Sequence, residues 1–241
     1  MIQYGCLARY FNRYEDEIQF AKNNGFDFMQ MWYDNKGFWI NNQRNEDVAN
    51  IAKFDFPAII HAVLDVNDFE IHIPIIKNLI DKLGHKDLII HPVCKTEVYH
   101  EKTIEKLNEK IQFTLDYFQD TIEIHLENNS KVDPIFHSIE EVQYIFENNK
   151  KLNFLLDLAH MPDYDYLQKI VAIKMPSILH ISDKRFNVIH EHLPIGEGEI
   201  DFQKVFSQFL PLFDGKIIFE VFESDQKIVA SFSQIKQYLS K

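Results

Sequence analysis

Glycine is scarce in this chain, 7 residues in 241, too few for an all-β protein built on many tight turns. Cysteine is scarcer: Cys6 and Cys94 are the only two, which excludes a disulfide scaffold and suits a reducing, cytoplasmic setting. No apolar run approaches the ~20 residues that a membrane-spanning helix needs. The N-terminal MIQYGCLARY lacks the basic head and continuous apolar stretch of a signal peptide. Positive charge is in deficit as well, with 25 Lys and Arg against 37 Asp and Glu and a formal net charge of −12. That balance argues against a general affinity for nucleic acid or for an anionic membrane, because both attractions come from clustered cations. A bound metal would add positive charge that the formula omits.

What the chain does contain is a recurring short apolar segment. The segments are Ile2–Leu7, Phe26–Trp32, Pro57–His61, Leu88–His91, Ile122–Glu127, Asn153–Asp157, Ser177–His180 and Lys216–Glu220. Between them the apolar positions follow a helical period. Tyr14–Asn23 runs up to Gly25, a natural helix stop. Phe69–Leu83 sets Ile71, Ile75, Ile76, Leu79, Ile80 and Leu83 on one stripe and ends at Gly84, and Glu101–Phe118 is similar. Ser138 with Glu141 three places later is a capping-box signature, opening a helix that carries Val142, Ile145 and Phe146. Residues 164–173, 201–210 and 224–239 predict three more helices.

Eight strands alternating with helices, with no linker or charge block dividing them, predict an α/β protein folded as one (β/α)8 barrel domain over residues 1–241. The length agrees with the ~250 residues usual for that fold. An open doubly wound sheet is the alternative, weakened by the lack of a G-x-G-x-x-G turn after the first strand.

The strands end on a restricted set of residues. AIIH delivers His61, LIIH His91, IEIHLE Glu127, FLLD Asp157, ILH His180 and IIFE Glu220. One polar residue at a strand end is usually the start of a solvated loop. Six in succession, all imidazole or carboxylate, point to a shared barrel mouth. Imidazole with carboxylate is the ligand chemistry of a divalent transition metal, Zn²⁺ or Mn²⁺ above all, with Mg²⁺ not excluded. A cation would also relieve the repulsion among Glu127, Asp157 and Glu220. His160 follows Asp157 closely enough to reach the same mouth. His190–Gly198 (HEHLPIGEG) adds His190, His192 and a glycine pair that lets the loop pass close to a ligand.

Taken together, AIIHA, LIIHP, IHLENN, LLDLAH, LHISDKR, HLPIGEGEIDF and IIFE resemble the xylose-isomerase-like barrel superfamily. That superfamily includes sugar and sugar-phosphate isomerases and epimerases, and also endonuclease IV. The resemblance implies a four-ligand metal site at Glu127, Asp157, His180 and Glu220, with His160 contacting a substrate oxygen. The further ligands of the trinuclear endonuclease site resemble His61, His91, His160 and His192, while His190 stands where that family has an aspartate. A homodimer is the family expectation.

Two functions follow as expectations. The first is a metal-dependent isomerase or epimerase of a small sugar or sugar phosphate, in which Glu127 and Glu220 give and take a proton beside a polarised carbonyl. Their double duty as metal ligands lowers their basicity, a tension in this reading. Lys184 and Arg185 would neutralise a substrate anion, or else form a solvated loop pair, and Trp32 and Trp39 would wall a sugar. The second is phosphodiester hydrolysis as in endonuclease IV. Met29–Trp39 faintly resembles that family's first DNA loop, but Gly37 stands where an arginine is wanted, and no aromatic residue occurs among Ala62, Val63 and Leu64. The small-molecule reading is preferred, and an inactive ligand-binding barrel is the third option. His125 is expected inside the barrel, and His72, His85, His100 and His137 at the surface.

Overall fold

The computed structural model describes residues 1–44 and 48–239. Strands β1 (Gln3–Leu7) and β2 (Phe28–Asp34) are followed by a short hairpin, β3 (Gly37–Ile40) and β4 (Gln43–Arg44). Then come β5 (Ala58–Asp65), β6 (Asp87–Val93), β7 (Glu123–Glu127), β8 (Asn153–Asp157), β9 (Ile178–Ile181) and β10 (Lys216–Phe219). Every strand except the hairpin pair runs parallel to its neighbours, and β1 pairs with both β2 and β10, so the sheet closes into an eight-stranded (β/α)8 barrel. The hairpin hangs antiparallel from the end of β2. Only its first residues, Gly37–Trp39, belong to the Met29–Trp39 stretch that resembles a DNA loop; most of that stretch is β2 itself.

Alternation along each strand sends every second side chain inward. Phe28, Ile59, Ile89, Leu155, Ile178 and Ile218 meet on the axis as a separate apolar layer. Gly5 completes it, since a Cβ there would overlap the Phe28 ring. The intervening positions, such as Met29, Ile60, Ile90, Leu126, Leu156 and Phe219, face outward into the larger core beneath the helices. Below the layer, His125 lies 3.0 Å from Asp87 and 2.9 Å from the Ser177 hydroxyl, and Lys216 lies 3.1 Å from Asp87. His125 is thus an interior hydrogen-bonded residue. One step above the layer come Gln30, His61, His91, Asp157, His180 and Glu220, each two residues beyond a member of it.

The helices are α1 (Tyr14–Asn24), α2 (Val48–Ala52), α3 (Phe69–Leu83), α4 (Glu101–Phe118), α5 (Ile139–Asn148), α6 (Tyr164–Ile173), α7 (Phe202–Lys204) and α8 (Asp225–Leu239). Gly25 and Gly84 end α1 and α3 in the left-handed conformation, at φ 76° and 71°. Three expectations change. The helix expected at 201–210 is the single turn α7 running into a π-helix at Val205–Phe209. On α3 the buried face is Phe69, His72, Ile73, Ile76 and Ile80, while Ile71 and Ile75 are exposed. His72 is therefore buried, hydrogen-bonded to the Tyr33 hydroxyl at 2.8 Å, and His85 is partly buried, its pKa lowered to about 4 by desolvation.

The loop after β9 is built on one carboxylate. Asp183 accepts the backbone N–H groups of Lys184, Gly196, Gly198 and Ile200 at 2.8–3.0 Å. The glycine pair expected to admit a ligand instead admits this side chain. A Cβ on Gly198 would collide with Asp183 and stand 2.5 Å from backbone atoms of Lys184. Gly198→Ala is expected to cost ~2–4 kcal/mol, read as a lower midpoint in urea titration.

Helix α5 carries the expected capping box. Ser138 accepts the Glu141 N–H at 3.2 Å, and Glu141 accepts the N–H groups of Ser138 and His137, both at 3.0 Å. Tyr99 also donates to Glu141. Burial alone would raise this carboxyl, but His137, Tyr99 and the backbone donors bring it down to about 2. A depressed carboxyl stabilises the fold fully above its unfolded pKa and loses that contribution as the pH falls through its folded value. Glu141→Gln is therefore expected to cost ~1–2 kcal/mol at pH 7. The gap to wild type should close between pH 4.5 and about 2, as read by urea titration across pH.

Candidate active site

The polar layer above the barrel floor brings the strand-end residues together. Glu127, Asp157, His180 and Glu220, all buried, each offer a ligand atom within 4.8 Å of the others. Glu127 belongs equally to a second group with His61 and His91, and His160, His190 and His192 form a third on the adjoining loops. His190 is exposed and the other members are buried or partly so.

Their hydrogen bonds are specific. His61 donates from Nε2 to Glu127 Oε2 at 2.7 Å, and His180 donates from Nδ1 to Glu127 Oε1 at 3.1 Å. His91 Nδ1 lies 3.1 Å from Glu127 Oε2. Gln30, fully buried, accepts from His180 Nε2 at 2.7 Å and donates to Glu220 Oε1 at 2.8 Å. Asn128 accepts the Asp157 N–H through its side chain at 2.8 Å. Its carbonyl accepts from His160 Nδ1 at 2.7 Å, which leaves the lone pair on Nε2. The Ser182 hydroxyl holds His192 Nδ1 at 2.9 Å.

Electrostatics divides the carboxylates. Burial would raise Glu127, yet His180, His91 and His61 hold it well below the usual range. Burial likewise raises Glu220, but His180 and His192 bring it down. Asp157 goes well above the usual range, through burial first and then repulsion from Glu220 and Glu127. Desolvation works against charge on His91 and His180, but the surrounding carboxylates lift them to about 10 and about 9. Burial depresses His160 strongly and His192 to about 4, so both present neutral imidazoles.

The donor set fits a divalent cation. Asp157 Oδ2 and His160 Nε2 are buried without a hydrogen-bond partner although they lie 3.3 Å apart. Two buried polar atoms this close, neither with a hydrogen-bond partner, are what a metal would satisfy. Above them opens a cavity of about 510 Å³, lined by Glu127, Glu220, His61, His91, His160, His190 and His192 and walled by Tyr10, Phe11, Trp32, Trp39 and Phe222. Trp39 stacks on Tyr10 at 3.6 Å, and Trp32 Nε1–H is buried without a partner.

Lys184 and Arg185 do not join this cavity. Lys184 is buried, its ammonium 3.2 and 3.3 Å from the carbonyls of Met161 and Ile189. Arg185 is exposed and pairs with Glu191. Conversely, Gln30, Asn128 and Asp133 escaped the sequence reading. Gln30 carries a signal, being two residues after Phe28 on an inward-facing strand, but its amide has no charge to mark it.

Known proteins share this framework. The family described as xylose isomerase-like TIM barrel matches residues 77–238, more than half of the chain. No curated protein matches the sequence. Among solved structures, a D-tagatose 3-epimerase-like protein is 18% identical, with 99% of this chain and 97% of that one covered and a TM-score of 0.75. The IOLI protein with a binding zinc atom is 13% identical, with 99% and 98% covered and a TM-score of 0.74. An AP endonuclease, family 2, from Brucella melitensis is 16% identical, with 97% and 99% covered and a TM-score of 0.72. At these identities the structural likeness speaks for the fold, and the family match carries the assignment: the chain belongs to the xylose isomerase-like TIM barrel family.

Proposed function

We propose that this protein is a divalent-metal-dependent isomerase or epimerase of a small sugar, with zinc or manganese as the cation. The observation that carries the reading is the buried group Glu127, Asp157, His180 and Glu220 at the base of an aromatic-walled cavity. A cation held there would polarise a substrate carbonyl and acidify the neighbouring C–H. Glu127 and Glu220 line the cavity in the low-pKa, ionised state, and they are the pair that accepts that proton and returns it. His160, neutral with its Nε2 lone pair free, accepts from a substrate hydroxyl. Trp32 and Trp39 cover the apolar face of the ring. Lys95 is the one Lys or Arg lining the cavity among the described residues, which favours an uncharged sugar over a sugar phosphate. The small-molecule reading fits a cytoplasmic enzyme, acting as a single barrel domain and, on family expectation, as a dimer. No helix among the described residues is long and apolar enough to cross a membrane.

The second reading, phosphodiester hydrolysis, is favoured by one observation: three ligand groups rather than one among the described residues, with Glu127 shared between two of them. The shortage of cations along the cavity weighs against it, because a phosphodiester backbone needs them.

The test is a panel of ketoses and aldoses in deuterated water with the zinc- or manganese-loaded protein. Deuterium should enter at the carbon beside the carbonyl, and Glu127→Gln and Glu220→Gln should each slow that exchange by ~10²-fold or more. Exchange unaffected by both substitutions removes the proposed pair. Nicking of abasic-site DNA that is lost in Glu220→Gln would replace this reading with the hydrolytic one.

A further inference from the structure

The loop after β7 brings a carboxylate to the cavity that belongs to none of the three ligand groups. Asp133 lines the cavity, and its Oδ2 lies 3.4 Å from His91 Nε2. The opposite ring nitrogen, Nδ1, is 3.1 Å from Glu127 Oε2. The His91 imidazole is thus clamped between two carboxylates, one inside the ligand group and one outside it.

The loop is built to keep Asp133 there. Asn129, fully buried, donates through its side-chain amide to Pro92 O at 2.6 Å and to Ile135 O at 2.7 Å. Pro92 is the residue after His91, so this bond ties the Asp133 loop to the strand carrying the ring it touches. Asn129 N–H also donates to Phe136 O at 3.0 Å, and Asp133 N–H donates to Ser130 O at 3.2 Å. Ile135 and Phe136 are fully buried and anchor the far end. Pro134 restricts the backbone of Asp133 to extended conformations. A carboxylate placed casually on a loop would not have its flanks fixed on both sides.

We propose that Asp133 is a positioning residue for metal binding: it takes the Nε2–H of His91 and so holds Nδ1, as a lone pair, toward a cation bound by His61, His91 and Glu127. The inference rests on the metal-dependent reading above but not on the reaction assigned to it. A ligating imidazole needs an acceptor for its other N–H to fix tautomer and ring orientation. Asp133 supplies one from outside the crowded layer, where a further carboxylate would add repulsion.

The experiment measures zinc binding by competition with a chromophoric chelator for wild type, Asp133→Asn and Asp133→Ala. Histidine ring nitrogens in ¹⁵N-labelled, zinc-loaded protein are read by long-range ¹H–¹⁵N correlation. Asp133→Ala should weaken one zinc equivalent by ~10–100-fold, and Asp133→Asn, whose amide oxygen still accepts from Nε2–H, should weaken it less. In wild type, His91 should show a metal-shifted Nδ1 and a protonated Nε2, and in Asp133→Ala the Nε2–H signal should be lost to exchange. Thermal unfolding of the zinc-free variants, unchanged from wild type, separates this loss from misfolding. Unaltered zinc affinity in Asp133→Ala overturns the proposal while leaving the metal site standing. So does lost zinc with an unaltered His91 signature, which would make Asp133 a ligand itself. Failure of the wild type to take up zinc or manganese overturns this proposal and the metal-dependent reading together.

Discussion

Three carboxylates in one buried layer are the constraint on which the rest of the structure turns. Glu127, Asp157 and Glu220 are each no more than 7% exposed and lie close enough to share a ligand group. Removing a charge from water costs several kcal/mol even after the protein relaxes, so nothing about stability recommends this arrangement. The layer survives by dividing the load. Imidazoles of His61, His91 and His180 surround Glu127, while Asp157, facing two other carboxylates, goes the opposite way and resists ionisation. Gln30 sits at the junction, donating to Glu220 and accepting from His180 with the two ends of one amide. Such a costly layer, with Asp157 Oδ2 and the adjoining His160 Nε2 left unpartnered, is one that a bound cation would compensate.

Convergence of the layer follows from strand geometry. In a closed parallel barrel, a residue two places beyond an axis-filling residue also points inward, one step nearer the C-terminal rim. Ile59, Ile89, Leu155, Ile178 and Ile218 fill the axis, and His61, His91, Asp157, His180 and Glu220 follow them by two. This is why the architecture and most of the polar layer were legible: an apolar run ending in imidazole or carboxylate encodes both the strand and the direction of its last side chain. Gln30 obeys the same rule, but its uncharged amide does not stand out in the sequence as an imidazole or carboxylate does.

Legibility fails where period gives way to tertiary contact. On α3 the counted stripe included Ile71 and Ile75, but burial follows Phe69, His72, Ile73, Ile76 and Ile80, because Tyr33 gives His72 a hydrogen-bond partner beneath the helix. The segment 201–210 has helical spacing yet folds as a turn and a π-helix. Gly196 and Gly198 signalled a close approach correctly, but the approaching group is Asp183 rather than a ligand. No residue pattern within the loop distinguishes those two reasons for glycine.

The same anchorage bears on what the cavity can bind. Lys184, held by two carbonyls, and Arg185, paired with Glu191 at the surface, are turned to structural use by the loop that Asp183 organises. Among the described residues the mouth is left with aromatic walls, histidines and one ammonium group. A polyanion entering it would meet the carboxylate layer with little to offset the repulsion beyond bound metal. A neutral polyol meets hydrogen-bonding histidines below and ring faces at the side, including the unpartnered Trp32 N–H. The ligand groups admit both chemistries, so it is the wall of the cavity, more than the carboxylate and histidine layer beneath it, that favours the proposed sugar.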